Sequence, residues 1–351
     1  MRLILLINMS FLLFVSCGKY KDDGGQVTGK VGELLVVCDE EILGDEEICS
    51  ALDSAFTRFI LPYFPDVPTF ELKHRSFKNF DGALKRHRNV LIINQKAKIE
   101  NGAECNKISD VWARNQTLFE INFSNKSSLI RFLKSRNTEV IHNEYSNNEW
   151  RRILEYYKAN NNQFISQKLK DNFKINLDLP SGSGIVTSRN NFFRIEFPPG
   201  SRPIDFENVR KQDLGAVWEG VLVYQYDFID SSQLSLDNLL KARDTMLRYN
   251  VPHEIEGLYM GTQYVDLVYP EINVNTNYNE TINGVEMRGM FAFVGKPIHT
   301  TGGAFWGFHF IHPDTKKIIC ISGYVDAPST TSWIHFMREI QAVWKSVSID
   351  G

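Results

Sequence analysis

The sequence predicts an α+β protein in two unlike parts: an amino-terminal α/β layer, followed by a mostly antiparallel sheet with helical cover. In the first part, apolar strand-like runs alternate with segments whose apolar residues recur at helical spacing, which is typical of a strand–helix layer. In the second part, short strands with alternating apolar residues follow one another directly, which is typical of antiparallel sheets. The 351 residues also exceed the usual size of a single core, so we expect two domains.

The amino-terminal part shows strands and helices in rough alternation. Its strands are continuous apolar runs, as expected for buried strands, and its first helix begins after Gly44-Asp45 and stops by Pro62. We therefore predict an α/β domain over residues 31–146. Its predicted strands lie at Glu33–Cys38, Asn89–Ile93 and Leu118–Phe123, and its later helices at Phe77–Arg86 and Ser127–Ser135.

Between the two parts, residues 147–172 are polar with apolar residues at helical intervals, which predicts one long connecting helix. Residues 173–351 are expected to form the antiparallel α+β domain. Their periodicity predicts three strands, a helix at Leu236–Leu247, four strands and a final helix at Trp333–Val347. The predicted strands lie at Phe173–Leu179, Asn191–Phe197, Val217–Phe228, Gln263–Tyr269, Val285–Val294, Ala304–His312 and Lys317–Val325.

The most aromatic of these strands is Ala304–His312. Side chains alternate along a strand, so Trp306, Phe308 and Phe310 share one side of it. The final helix has an apolar face that needs a partner, and we predict that these three side chains pack under it. The alternative is an exposed aromatic platform, since contiguous exposed aromatic residues usually mark a binding site.

Six short motifs occur along the chain, at Gly32–Val37, Arg243–Met246, Gly257–Thr262, Glu286–Phe291, Thr301–Phe305 and Gly323–Pro328. Together they resemble the Bacteroidetes lipoprotein family catalogued as domain of unknown function 4837, from about Gly29 to Val347. Thr301 and Ala304 stand where that family usually has Met and Pro. The resemblance implies a lipid-anchored protein and carries over no catalytic or binding residue. The element order of the second part also resembles the PsbP and Mog1 fold, an analogy that implies no shared function.

The amino terminus predicts export. Arg2 precedes the apolar run Leu3–Val15, which is typical of a signal peptide over residues 1–16 and too short for the ~20 residues of a membrane-spanning helix. The junction before Cys17 resembles a lipobox, with Phe14 where Leu is usual. We therefore expect the mature protein to begin at a lipid-modified Cys17, held on the membrane by acyl chains such as palmitate. The alternative is an ordinary signal peptide followed by an incidental cysteine.

Residues 17–30 are polar and glycine-rich, which predicts a flexible lipid tether. Within it, Lys21, Asp22 and Asp23 resemble the sorting signal by which Bacteroidetes lipoproteins reach the outer face of the outer membrane. A charged tether that serves only solubility would look the same. The expected location is the outer membrane, and surface exposure stays open.

Composition argues against some partners and cofactors. The net charge of −3, without a basic stripe, argues against nucleic-acid binding. Apart from Cys17 the chain has an even set of cysteines, which permits disulfides in an exported protein, but their spacing matches no zinc site. Two of them lie in apolar strand runs, which favours buried free thiols over disulfides. The four cysteines are Cys38, Cys49, Cys105 and Cys320.

No catalytic, nucleotide, metal or other cofactor motif emerges from the sequence. His309 and His312 form the one close histidine pair, but a three-residue offset on a strand sends their rings to opposite faces. We therefore expect His309 to be a half-buried structural residue rather than a metal ligand. Glu286 and Arg288 are two apart on a predicted strand and share a face, which makes them a speculative binding surface. A cross-strand ion pair that stabilises the sheet is the simpler explanation.

Two functional hypotheses follow. The first is a lipid-anchored, non-enzymatic module of the cell envelope that binds an envelope protein or polymer. The second is an envelope glycan hydrolase or transferase whose acid and base are carboxylates that the sequence does not identify. Two carboxylates converging in a cleft would favour the enzyme, and a shallow aromatic surface would favour binding. The lack of a recognisable catalytic set favours the first hypothesis.

Overall fold

The computed structural model describes residues 25–64, 66–96, 99, 102–198, 217–277, 282–296, 301–327 and 333–349. It contains a five-stranded sheet and an eight-stranded antiparallel sheet, each covered by helices, which confirms the predicted α+β class. The predicted signal peptide over residues 1–16 lies outside the described residues, as do the predicted lipid-attachment and sorting residues Cys17, Lys21, Asp22 and Asp23.

The first sheet is formed by β1 (Glu33–Cys38), β2 (Glu71–Ser76), β3 (Asn89–Gln95), β4 (Ala103–Ser109) and β5 (Thr117–Phe123). The helices of this part are α1 (Glu40–Leu43), α2 (Glu46–Phe56), α3 (Gly82–Lys85), α4 (Lys126–Leu133) and α5 (Arg136–Ala159). The strand order is β2-β1-β3-β5-β4, in which β4 is antiparallel and the other four strands are parallel. The helices α2, α4 and α5 pack on one face of the sheet around a common apolar core.

The sequence did not predict two strands of this sheet, β2 and β4. Both lie at its edges, where charged and polar side chains face solvent, so neither carries an apolar run. The helix predicted at Phe77–Arg86 is also wrong. That segment holds a 3-10 turn, Phe77–Asn79, and only the four residues of α3.

The single helix predicted over residues 147–172 is two helices. The first, α5, begins earlier than predicted and ends at Ala159, and α6 spans Gln163–Phe173. The break falls on three consecutive asparagines, Asn160–Asn162, whose side chains compete with helical hydrogen bonds. The Asn162 side chain caps α6 by accepting a hydrogen bond from the Ile165 amide at 3.3 Å.

The second sheet has the order β10-β12-β13-β14-β9-β8-β7, and β11 also pairs with β12. A separate two-stranded ribbon joins β6 to β15. The strands are β6 (Ile175–Asn176), β7 (Gly184–Arg189), β8 (Phe192–Glu196), β9 (Trp218–Asp227), β10 (Leu258–Thr262), β11 (Glu271–Asn277), β12 (Asn283–Gly295), β13 (Gly302–Ile311), β14 (Lys317–Asp326) and β15 (Ser348–Ile349). The remaining helices are α7 (Leu236–Asn250) and α8 (Ile334–Lys345).

Two predicted strands of this part are wrong. The strand predicted at Phe173–Leu179 shrinks to the two residues of β6, outside the large sheet. The strand predicted at Gln263–Tyr269 is a connection with a 3-10 turn between β10 and β11. Its apolar residues Val265 and Leu267 are exposed, so the alternation that predicted a strand reflects no buried face. The prediction also missed β7, β10, β11 and β15.

One face of the large sheet packs against α8. Trp306, Phe308 and Phe310 are buried there, and the Phe308 ring stacks on Trp344 of α8 with centroids 5.3 Å apart. This confirms the prediction that these residues form a core set under the final helix. The aromatic-platform alternative is excluded for this strand, since none of the three is exposed.

The opposite face packs against α7 and holds Phe305 and His309. His309 is wholly rather than half buried, and burial lowers its pKa to about 3, so the ring is neutral. His312 lies outside this core and is held at 3.0 Å from the Lys174 carbonyl oxygen.

Contacts also join the two parts of the chain. The Arg338 guanidinium of α8 donates to the Thr69 carbonyl at 2.8 Å, and Tyr63 donates to the Phe305 carbonyl at 2.9 Å. At the described end of the predicted tether, the Thr28 amide donates to the Arg86 carbonyl at 2.8 Å. Part of the segment 25–30 is therefore hydrogen-bonded to the chain between α3 and β3. The division into domains at residues 146 and 173 stays a prediction.

Candidate functional site

A cleft of about 620 Å³ opens beside the α7 face of the large sheet, where β8, β9, β12 and β14 come together near the end of α7. Such a volume suits a small molecule or a short segment of a polymer. Its chemically distinctive lining residues are Arg194, Glu196, Trp218, His253, Phe293 and Asp326.

Strand register brings these side chains together. On β14, Asp326 lies directly opposite Trp218 of β9, and Glu196 of β8 lies opposite Gly220. Alternation then puts all three side chains on the α7 face of the sheet. Gly220 is required here because a Cβ would lie 2.3 Å from the Ile195 carbonyl oxygen and 2.7 Å from the Tyr324 hydroxyl.

Aromatic rings form the floor of the cleft. Trp218 stacks on Phe293 with centroids 5.6 Å apart, and its ring lies 4.8 Å from that of Tyr324. His253 meets Phe293 edge-on at 4.5 Å. These contacts fix one another, so the floor is preorganised rather than assembled by a ligand.

Charged groups line the wall beside this floor. Arg194 forms an ion pair with Glu196, and its guanidinium lies 4.9 Å from the Trp218 ring centroid. The indole N–H of Trp218 donates to Glu196 Oε1 at 2.8 Å. Glu196 is therefore held in place by two donors, while its side chain stays partly accessible.

Asp326 differs from Glu196 because no basic partner faces it among the described residues. Burial raises its pKa to about 6, so this carboxyl group changes protonation state near neutral pH. It accepts hydrogen bonds when ionised and donates one when protonated. A carboxyl group of this kind in a cleft is a functional candidate.

The speculative surface of Glu286 and Arg288 lies elsewhere. Both residues project from β12 on the α8 face, on the opposite side of the sheet from the cleft. Arg288 forms a cross-strand ion pair with Glu271 of β11 at 3.7 Å, and Glu286 accepts a hydrogen bond from the Trp306 indole at 3.2 Å. Each residue thus has a local structural partner, although the ion pair joins Arg288 to Glu271 rather than to Glu286. Their role in binding stays a prediction.

Sequence reasoning assigned no function to the residues of the cleft. Asp326 lies in the motif Gly323–Pro328, but the six distinctive residues come from four strands and a loop, so no local motif contains the set. One signal was available: Arg194 and Glu196 are charged residues in the otherwise apolar run Phe192–Phe197. Two charges spaced by two in a buried strand share a face, which marks a polar patch against the core.

The cysteines and histidines do not build a metal centre in the part of the chain that the structure describes, where no cluster of three metal-ligating side chains occurs. The four described cysteines are free thiols, as favoured from the sequence, although only Cys38 and Cys320 are buried. Burial raises the pKa of Cys38 and of Cys320 to about 12, so both are neutral. Among the described helices, none combines the length and apolarity needed to cross a bilayer.

Comparison with known families gives two matches. Residues 162–346, more than half of the chain, match the model of a domain of unknown function, DUF4837. Residues 27–158 match a second domain of unknown function, DUF8532. The motif Gly32–Val37 therefore falls under the second match, so the first resemblance covers less of the chain than the motifs indicated. No curated protein matches the chain.

Proposed function

We propose that this member of the family of domain of unknown function 4837 is a lipid-anchored module of the cell envelope. Its cleft binds a hydroxyl-rich envelope polymer, such as a glycan. The observation that carries this proposal is the combination of a preorganised aromatic floor with Arg194, Glu196 and Asp326 in one cleft. Carboxylates accept hydrogen bonds from ligand hydroxyl groups, and a guanidinium donates to ligand oxygens. The aromatic floor supplies apolar contact without reorganisation.

Calorimetric titration of the purified mature protein with soluble glycan fragments of the envelope tests the binding proposal. Asp326→Asn should weaken binding roughly ten-fold or more, since a hydrogen bond to a charged group contributes ~1.5–3 kcal/mol. Asp227→Asn is the matched control, because Asp227 is exposed at the opposite end of β9. Equal affinities of the wild type and Asp326→Asn, or no binding by the wild type, would exclude this site.

The dependence of binding on pH gives a second readout. If ionised Asp326 accepts ligand hydroxyl groups, affinity should fall as the pH drops below about 6, because the protonated carboxyl loses acceptor capacity. Asp326→Asn should show a flatter profile over the same range. A fall of equal size in the variant would assign the pH dependence to another group.

One observation favours a second candidate, a glycan hydrolase or transferase. A carboxyl group with a pKa of about 6 is suited to act as a general acid, and Glu196 supplies a second carboxylate in the same cleft. Release of reducing ends from glycan fragments measures this activity. Turnover that Asp326→Asn abolishes while binding persists would favour the enzyme, and binding without turnover favours the module.

The lipid anchor is supported by the sequence of the amino terminus. Cys17→Ala should move the protein from the membrane fraction to the soluble fraction, because no other acyl attachment is expected. Recovery of this variant in the membrane pellet would contradict the anchor. Surface display is proposed from Lys21, Asp22 and Asp23. Replacing all three with alanine should protect the protein from protease added to whole cells, and unchanged digestion would exclude the sorting role.

A further inference from the structure

Among the described residues, Arg88, Arg152, Arg243 and Arg338 are buried, and Arg243 lacks the hydrogen-bond partners that the other three have. Arg88 forms an ion pair with Glu149 at 3.0 Å, and Arg338 donates to the Thr69 carbonyl at 2.8 Å. Arg243 of α7 has a relative exposure of 0 %, yet none of its three guanidinium nitrogens has a hydrogen-bond partner among the described residues. A buried guanidinium without hydrogen-bond partners is strongly unfavourable, because nothing replaces the water that solvates it in the unfolded chain.

The adjacent carboxylate of Asp244 favours the charged form of Arg243 through space and compensates it only in part. Asp244 accepts hydrogen bonds from the Thr262 hydroxyl at 2.7 Å and from the Tyr264 hydroxyl, and it forms no ion pair with Arg243 in the described part of the structure. The guanidinium instead lies 3.8 Å from the centroid of the Phe305 ring. A ring face compensates a cation only partly, and it leaves the N–H groups around the edge of the guanidinium available.

The strand pairing below Arg243 shows which side chains of the sheet lie near its guanidinium. One row of side chains on this face runs from His309 through Cys320 to Tyr224, and these groups are electrostatic neighbours of Arg243. Phe305, which also contacts the guanidinium, lies four residues before His309 on the same strand. These neighbours place the guanidinium over the part of the sheet between Phe305 and His309.

The row between these two residues contains Gly307 beside Ser322, the smallest side chains on this part of the face. The Ser322 hydroxyl is buried and also lacks a hydrogen-bond partner. Arg243 and Ser322 thus both have unsatisfied polar groups in the layer between α7 and this part of the sheet. Donors without an opposing carboxylate are complementary to an anion, and the small side chains restrict its size.

We propose that Arg243 and Ser322 bind a small monovalent anion of the halide class between α7 and the sheet. The anion neutralises the buried guanidinium and joins α7 to β13 and β14. This site is separate from the proposed ligand cleft, and neither proposal depends on the other. Stability of the folded protein then rises with halide concentration, because an ion that binds only the native state stabilises it by mass action.

Thermal unfolding in mixtures of sodium chloride and sodium gluconate at constant ionic strength tests this site. The wild-type midpoint should rise as chloride replaces the bulkier gluconate. Arg243→Met removes the charge at similar length, so its midpoint should not respond to chloride. Arg248→Met is the matched control on the exposed side of α7 and should keep the wild-type response. A wild-type midpoint independent of chloride, or the same response in Arg243→Met, would overturn the proposal.

A bromide soak of wild-type crystals keeps the test decisive if Arg243→Met does not fold. An anomalous difference peak within hydrogen-bond distance of the Arg243 guanidinium supports the site. The absence of a peak there, in crystals that show bromide elsewhere, overturns it.

Discussion

Phe308→Ala tests the core that joins the large sheet to its final helix. Phe308 has a relative exposure of 0 %, and its ring lies between Trp344 of α8, at 5.3 Å, and Phe310 of its own strand, at 5.6 Å. Truncation removes both ring contacts and leaves a cavity bounded by rigid aromatic groups. Such walls relax little, so the cavity stays open and its cost is high.

Removal of a buried phenylalanine ring costs ~3–5 kcal/mol. A cooperative unit of about 200 residues loses roughly 2–4 °C of midpoint for each kcal/mol, so the midpoint should fall by about 6–20 °C. Differential scanning calorimetry of the two proteins under identical buffer conditions measures this shift directly.

Phe164→Ala is the matched control, because Phe164 lies on α6 with 66 % of its surface exposed. Its unfolding free energy should change by less than ~1 kcal/mol. An unshifted midpoint for Phe308→Ala would refute the core assignment and would make β13 the leading candidate for a ligand surface.

Three further changes test other parts of the structure. Glu149→Gln should lower the free energy of unfolding in urea by ~3–5 kcal/mol, because it leaves the buried Arg88 and Arg152 without their shared carboxylate. The control Glu155→Gln, at an exposed position, should change that free energy by less than ~0.5 kcal/mol. Although burial opposes ionisation of Glu33, hydrogen bonds from His87 and the Lys30 amide lower its pKa to about 2. Ionised Glu33 therefore stabilises the fold above about pH 4.5, and this stabilisation is lost as the pH falls toward 2. In Glu33→Gln the urea midpoint should depend less on pH over that interval. The same pH dependence in the variant and the wild type would contradict this role. Gly220→Ala places a Cβ 2.3 Å from the Ile195 carbonyl oxygen and should lower both the thermal midpoint and the affinity of the cleft for its ligand. Gly184→Ala is the control and should change neither, because no atom lies within 4 Å of its added Cβ. Equal midpoints for the two variants would argue against the close approach at Gly220.

The parts of the fold that could be predicted are those whose burial is visible in local sequence. The strands β1, β3 and β5 are continuous apolar runs because both of their faces are covered. In β13, the alternation of side chains predicted which residues pack under the final helix. The edge strands β2, β4 and β7 have polar sequences because solvent satisfies one side of them. Their positions depend on pairing with neighbours, which no local pattern records.

The cleft could not be predicted for a related reason. Asp326 and Trp218 are more than a hundred residues apart, and only the pairing of β14 with β9 makes them neighbours. The raised pKa of Asp326 also arises from burial by distant elements, so composition near residue 326 carries no trace of it.

One local signal does indicate buried polar sites: a charged residue at a position where the helical spacing of apolar residues predicts burial. In α5, Glu149 follows Tyr145 by four residues and precedes Ile153 by four, so helical geometry alone buries it. In α7, Arg243 stands in the same relation to Leu239 and Leu247. Periodicity therefore predicts both burials from sequence. Only the fold distinguishes their outcomes. Asn89 of β3 and Arg152 of α5 are partners for Glu149, whereas the described part of the sheet beneath Arg243 presents Gly307 and Ser322 and no carboxylate that pairs with it.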